Sequence, residues 1–256
     1  MKIIIILLLA IKVAYLSGEG LNHCTNRNLV HNGVQYDDKK YPYVVTIQMT
    51  GGGTRGYCTG SMVKKLYVLT AAHCFDGYKV GDVKLPKPFP KLKNFLKIGG
   101  HPKDFKGNKS LTCTCIGFGK TRDGENAMGF EGCLMNTTIT YGQKACRNID
   151  NLQFKKAWKE YLCSRAGRIT MICSGDSGGP MICKNKLYGV CSFTYNFMNG
   201  SDICGGANLQ TVHTFLHYHL KWINNIINPG ANSGLLLKQH QLHTIVAISL
   251  CILLLF

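Results

Sequence analysis

Acidic side chains are scarce in this chain of 256 residues: 13 Asp and Glu stand against 30 Lys and Arg, a formal charge of +17. The excess suits an acidic glycan or an anionic surface as partner. No stretch interleaves aromatic residues with Lys and Arg as a nucleic-acid groove would, so nucleic acid is excluded as partner; the simplest reading is a solvated basic exterior. Long apolar runs are also missing. The N-terminal MKIIIILLLAIKVAYLSGEG is interrupted by Lys12, and the C-terminal TIVAISLCILLLF is short of the roughly 20 residues a membrane-crossing helix needs. Helical periodicity is confined to 213–227, HTFLHYHLKWINNII. Internal repeats and low-complexity linkers are absent, which excludes solenoids and tethered arrays. At 45% hydrophobic and 17% charged the chain is not disordered.

The two ends are expected to be processing segments. Residues 1–18, an early Lys followed by Ile and Leu and then small residues at Ser17 and Gly18, have the layout of a secretory signal peptide, with an N-terminal membrane anchor as the alternative. Residues 229–256 carry a small-residue cluster (Gly230 to Gly234), a polar spacer and the apolar tail, the order of a GPI-type anchor signal, with a membrane tail as the alternative. Removing both ends takes away Lys2, Lys12 and Lys238, so the charge becomes 27 − 13 = +14. Sequons at Asn108, Asn136 and Asn199 are candidate glycan sites in a secreted chain.

What is plentiful is cysteine. Thirteen are too many for a reducing cytosol and point to an oxidising compartment, hence an extracellular protein, secreted or held on the outer face of the plasma membrane. Between the ends, YPYVVTIQM (41–49), LYVLTAA (66–72), CLMNTTITY (133–141) and LYGVCSFTY (187–195) are short runs rich in Val, Ile, Thr and Tyr, separated by Gly, Asn and Lys. They predict an all-β chain of sandwich or barrel class with one terminal helix over 213–227.

The sharpest chemical signal is SGDSGGP at 174–180. Ser177 sits among glycines that allow a tight turn with successive N–H groups converging on a developing oxyanion. A serine hydroxyl needs a base, and TAAHC at 70–74 supplies His73 beside a cysteine. With GFGKT (117–121), SFT (192–194) and KWI (221–223) in the same order, the chain from about Leu29 to Ile227 resembles the trypsin/chymotrypsin-like serine proteases. The resemblance implies a double β-barrel with a C-terminal helix, a polypeptide substrate and no cofactor. It implies His73 as general base, Ser177 as nucleophile, the N–H groups of Gly175 and Ser177 as oxyanion hole, and Asp176 as the carboxylate that pairs with an N-terminus freed by cleavage. A G-x-S-x-G elbow of the α/β-hydrolase kind is disfavoured by Pro180 and the strand-like MIC that follow the serine.

The third triad member raises a question of spacing. In the template the intervals are roughly 45 residues from His to Asp and roughly 93 from Asp to Ser. Asp82 lies 82 − 73 = 9 residues after His73 and 177 − 82 = 95 before Ser177. Asp82 is therefore the expected triad carboxylate, with about 36 residues of the first barrel lacking in between. Such a gap removes roughly two strands with their loops and leaves the first barrel truncated, its edges open to aggregation or to repair by another element. Either the deduced sequence of an active protease lacks a segment, or the chain is a non-catalytic homologue with a binding or regulatory role.

Four disulfides follow from the resemblance: Cys58–Cys74, Cys113–Cys183, Cys146–Cys163 and Cys173–Cys204. Cys24, Cys115, Cys133 and Cys191 remain. Cys24–Cys133 and Cys115–Cys191 are favoured, with a pair of buried free thiols as the alternative for the second. The family position for the pocket floor falls on Met171, whose lack of charge argues against cleavage after Lys or Arg. Ser192, Phe193, Thr194 and Thr211 would line the rest of a pocket for a small aliphatic side chain. Residues 19–28 would be a short propeptide cut from the domain by an activating protease, exposing Leu29 at the start of a protease domain spanning 29–228, and staying attached if Cys24 bonds to Cys133. No metal is assigned: His213 and His217 are spaced for one helix face, but no neighbouring Cys or carboxylate completes a set.

Overall fold

The computed structural model describes residues 3–7, 33–51, 54–77, 83–84, 92, 95–119, 132–149, 152–166, 172–202, 204 and 206–228; of 3–7, 54, 83–84 and 152–153 only the backbone path is described. Leu29, Asp82, Met171, Cys24, Cys251, the propeptide and the C-terminal tail lie outside these residues, as does most of the leader.

The short β-branched runs form strands, and the strands form two sheets. The first has the order β1 (Ile3–Leu7), β5 (Tyr67–Ala71), β4 (Thr54–Lys64), β3 (Val44–Gly51), β6 (Val83–Lys84). Strands β3 and β4 are a long antiparallel hairpin whose inward residues include Ile47, Met49, Cys58 and Met62. The sheet stays open among the described residues: no pairing closes β1 onto β6. That is the truncated first barrel.

The second sheet closes on itself. It runs β2 (Val34–Gln35), β8 (Cys133–Thr140), β7 (Leu111–Gly117), β10 (Pro180–Cys183), β11 (Lys186–Asn196), β12 (Leu209–Phe215), β9 (Tyr161–Ser164), and β8 pairs again with β9. Six strands thus make a barrel, with β2 outside it on β8. Strand β8 alternates between buried and less buried residues, the pattern expected of a wall with one face inside. The barrel core gathers Met135, Ile139, Leu162, Met181 and Phe215 around Cys115 and Cys191. One helical turn, α1 (Leu152–Lys156), lies between β8 and β9.

The expected helix over 213–227 is corrected at its start. His213, Thr214 and Phe215 belong to β12, paired with Cys191, Val190 and Gly189 on one side, while His213 and Thr214 also pair with Leu162 and Tyr161 on the other. A β-branched and aromatic run bonded on both sides outweighs the 3.6-residue spacing of its apolar positions. After a 3-10 turn, Leu216–His219, helix α2 covers only Leu220–Ile227, with Ile223 and Ile227 buried. Helix α2 belongs to a second compact unit that begins at His219.

Candidate active site

The Ser177 loop sits between strands of the closed barrel and the hairpin of the open sheet. Two glycines set its path: Gly175 at φ +99° and Gly178 at φ +85°, conformations a side chain resists. Gly178 N–H donates to the Cys191 carbonyl at 2.8 Å and Cys191 N–H to the Gly179 carbonyl at 2.9 Å, which fixes the loop to β11. Gly179 N–H donates to Asp176 O at 2.9 Å and Asp176 N–H to Cys173 O at 3.0 Å. The N–H groups of Gly175 and Ser177 have no acceptor among the described residues.

Thr59, on β4 and fully buried, joins this loop to the other sheet. Its N–H donates to the Ser177 carbonyl at 2.8 Å, its hydroxyl donates to the Gly175 carbonyl at 2.9 Å, and the same hydroxyl accepts from Phe118 N–H at 3.0 Å. Nothing in the sequence marks Thr59 out, because its role exists only once two distant segments meet.

His73 lies in the 3-10 turn Ala72–Phe75 that follows β5, half-buried. Its neighbour Cys74 is bonded to Cys58, and Cys74 Sγ stands 3.8 Å from the Ser177 carbonyl. The turn carrying the imidazole therefore touches the backbone of the serine. Burial pushes the His73 pKa down, and the charge of Asp76 opposes it. Ser177, also half-buried, directs Oγ to the Ser192 carbonyl at 3.3 Å. No hydrogen bond joins His73 to Ser177 among the described residues. Val83 and Lys84, which follow Asp82, pair with Met49 and Gln48 of β3, so β4 and β3 stand between them and β5.

Asp176 is wholly buried. Its carboxylate accepts from Cys173 N–H and Gly119 N–H, both at 2.8 Å, and meets no cation among the described residues. Desolvation raises its pKa to about 7, with the two backbone donors pulling the other way. Beyond the serine, Thr194 donates to the Ile172 carbonyl at 2.9 Å, and its hydroxyl shares a 3.2 Å hydrogen bond with Thr211. Phe193 packs edge-on to Phe154, and Ser192 is buried. A cavity of about 650 Å³ is bordered elsewhere by Lys144, Arg147 and Lys155, without any of these site residues.

Disulfides join Cys58–Cys74, Cys113–Cys183, Cys146–Cys163 and Cys173–Cys204, and Cys133 is also disulfide-bonded. The favoured Cys115–Cys191 bridge is not formed: both are buried free thiols. Cys115 on β7 and Cys191 on β11 lie on strands that flank β10, with their sulfur atoms within 4.8 Å of each other.

The family model described as Trypsin matches residues 30–87 and 83–223. The two pieces overlap at 83–87, directly after the short interval between His73 and Asp82. Glandular kallikrein of Sus scrofa is 31% identical over 226 residues, covering 68% of this chain and 87% of that one. Chymotrypsin-like elastase family member 1 of Homo sapiens is 23% identical over 253 residues, covering 79% and 93%. Among solved structures, HL collagenase aligns with a TM-score of 0.58 at 19% identity, over 79% of this chain and 99% of that one. A mutant of human heparin binding protein aligns at 0.55 with the same identity and coverage, so both show a shared fold.

Proposed function

Because the chain belongs to the trypsin family of serine proteases, we propose that it is a serine endopeptidase in which Ser177 attacks a peptide carbonyl while His73 takes its proton. The collapsing intermediate then receives the proton from His73 on the leaving amine, and water releases the acyl group by the reverse path. Asp82 would hold the imidazole. The observation that carries this reading is the pair of unclaimed N–H groups at Gly175 and Ser177 in a glycine-turned loop: donors without an acceptor are what a developing oxyanion requires. Burial supports a neutral His73 able to accept a proton.

The substrate would carry a small aliphatic side chain at the bond cleaved. Met171 offers no carboxylate for Lys or Arg, and the hydrogen-bonded Thr194 and Thr211 would leave room only for a small side chain. Cleavage after residue 28 would free Leu29 to seek Asp176, which is buried without a cation among the described residues. The chain would reach the cell surface through residues 1–18 and stay there through 229–256. Release from cells by a phosphatidylinositol-specific phospholipase checks that anchor; exposed Asn108, Asn136 and Asn199 suit glycans.

Two observations favour a second reading, a non-catalytic binding protein with a basic surface: Ser177 Oγ is committed to the Ser192 carbonyl, and the strand after Asp82 is not beside the strand leading to His73. Labelling the purified chain with a serine-directed fluorophosphonate, before and after proteolytic activation, decides. The endopeptidase reading expects label on Ser177 that is lost in Ser177→Ala and in His73→Ala. Absence of label after activation sinks it and leaves the binder.

A further inference from the structure

Three strands of the closed barrel bring Cys115, Cys191 and His213 together in its core. Their ligand atoms all lie within 4.8 Å of one another, and all three residues are completely buried. Both thiols are free, and neither ring nitrogen of His213 has a hydrogen-bond partner. A buried imidazole with two orphaned nitrogens is rare in a native fold and needs an explanation. The fold is cross-linked for an oxidising compartment, yet it holds two adjacent thiols that are not joined.

We infer that Cys115, Cys191 and His213 bind one Zn²⁺ ion, which cross-links β7, β11 and β12 beneath the Ser177 loop. The dimensions fit. Tetrahedral zinc with Zn–S near 2.3 Å and Zn–N near 2.0–2.1 Å places its sulfurs about 3.8 Å apart and sulfur about 3.6 Å from nitrogen. Charge fits as well: two thiolates neutralise the dication and a neutral imidazole adds nothing, so no net charge is left in the core. The thiols select a soft ion over calcium or magnesium. Each thiol gives up one proton to solvent as its bond to zinc forms, and nothing is oxidised or reduced. No fourth Cys, His or carboxylate closes the set among the described residues, so the three protein ligands leave one position of the tetrahedron to another donor.

The location gives the ion its task. Cys191 bonds through its own backbone to Gly178 and Gly179, so a metal on its sulfur stiffens the residues that follow Ser177. His213 is opposite Cys191 in the β11–β12 ladder and opposite Leu162 on β9. The cross-link spans β10, and it serves the fold whether or not Ser177 is a nucleophile.

The full chain is oxidatively refolded with Zn²⁺ or Co²⁺, dialysed free of excess metal, and assayed for bound ion by mass spectrometry and for thiolate-to-cobalt charge transfer by absorption. One ion per chain is expected, with a charge-transfer band, and a thermal midpoint that falls when a chelator strips the ion. The double variant Cys115→Ala, Cys191→Ala and the single variant His213→Leu, checked for fold by near-ultraviolet circular dichroism, are expected to lose the ion and the chelator effect. Should a variant fail to fold, the cobalt spectrum of the parent chain decides alone. A folded parent chain without bound ion or charge-transfer band, an ion retained in the folded double variant, or a Cys115–Cys191 disulfide in the peptide map overturns the inference.

Discussion

At the scale of single residues, the Ser177 loop depends on positions where no other side chain fits. A Cβ at Gly178 would run into the Thr70 hydroxyl and the Thr59 carbonyl, and the residue also sits at φ +85°. The left-handed conformation alone costs an L-residue about 1–2 kcal/mol, and the overlap is with backbone that cannot step aside. Gly178→Ala is therefore expected to destabilise the fold by about 3 kcal/mol or more, read as a lower thermal midpoint. Asp176 is the other such position. A carboxyl raised from 3.8 to about 7 stabilises the fold most below pH 4, and that contribution is lost as pH rises through about 7. Three units amount to something on the order of 4 kcal/mol. Urea midpoints of the uncleaved chain should fall between pH 4 and 7 by more than those of Asp176→Asn; parallel curves would contradict a proton on the buried carboxyl. If cleavage delivers an amine to Asp176, that slope should vanish in the cleaved chain. The motif around Ser177 was legible in the sequence, since GDSGG states its own turn. The crowding at Gly178 was not, because Thr59 and Thr70 are more than 100 residues away in the chain.

At the scale of elements, the two sheets communicate through few groups, and Thr59 carries three of the hydrogen bonds. Replacing it by valine keeps the shape and the N–H to Ser177, but leaves the Gly175 carbonyl and the Phe118 N–H unpaired and buried. At about 1–3 kcal/mol for each orphaned group, Thr59→Val should cost about 2–5 kcal/mol, and Thr59→Ser should recover most of it. Chemical denaturation of the three proteins checks this; equal stability of the valine and serine variants would show that the hydroxyl is dispensable. Strand positions were readable from composition, as at 41–49 and 187–195, because β-branched and aromatic residues suit a pleated wall. The helix starts later than its apolar spacing suggests because periodicity cannot see that His213 and Thr214 are bonded on both sides. Nor could spacing reveal that His213 meets two cysteines. His213 lies in β12 and not on a helix face with His217, and the two cysteines reach it from β7 and β11 across the barrel.

At the scale of the whole molecule, the two sheets are unequal in what holds them. The closed barrel has no free edge among its six strands, and Cys113–Cys183, Cys146–Cys163 and Cys173–Cys204 belong to it or to the loops it anchors. The open sheet has one disulfide, Cys58–Cys74, and two edges. Its outer edge at β5 is covered by the backbone of Ile3–Leu7, paired over five residues, and its other edge by the two residues of β6. Sheet edges with short or removable partners open at lower free energy than strands bonded on both sides. Native-state hydrogen exchange should therefore rank the amides of β3 to β5 below those of β7, β10, β11 and β12 in opening free energy. If residues 1–18 are cleaved as a leader, β5 loses its neighbour, and exchange at Tyr67 to Ala71 should be faster in a chain lacking 1–18 than in one retaining them. That places the weak region next to His73, at the end of β5, and ties any activity of Ser177 to whatever completes this sheet. Equal protection of both sheets, unchanged by removing the leader, would mean that the short interval between His73 and Asp82 does not weaken the first barrel.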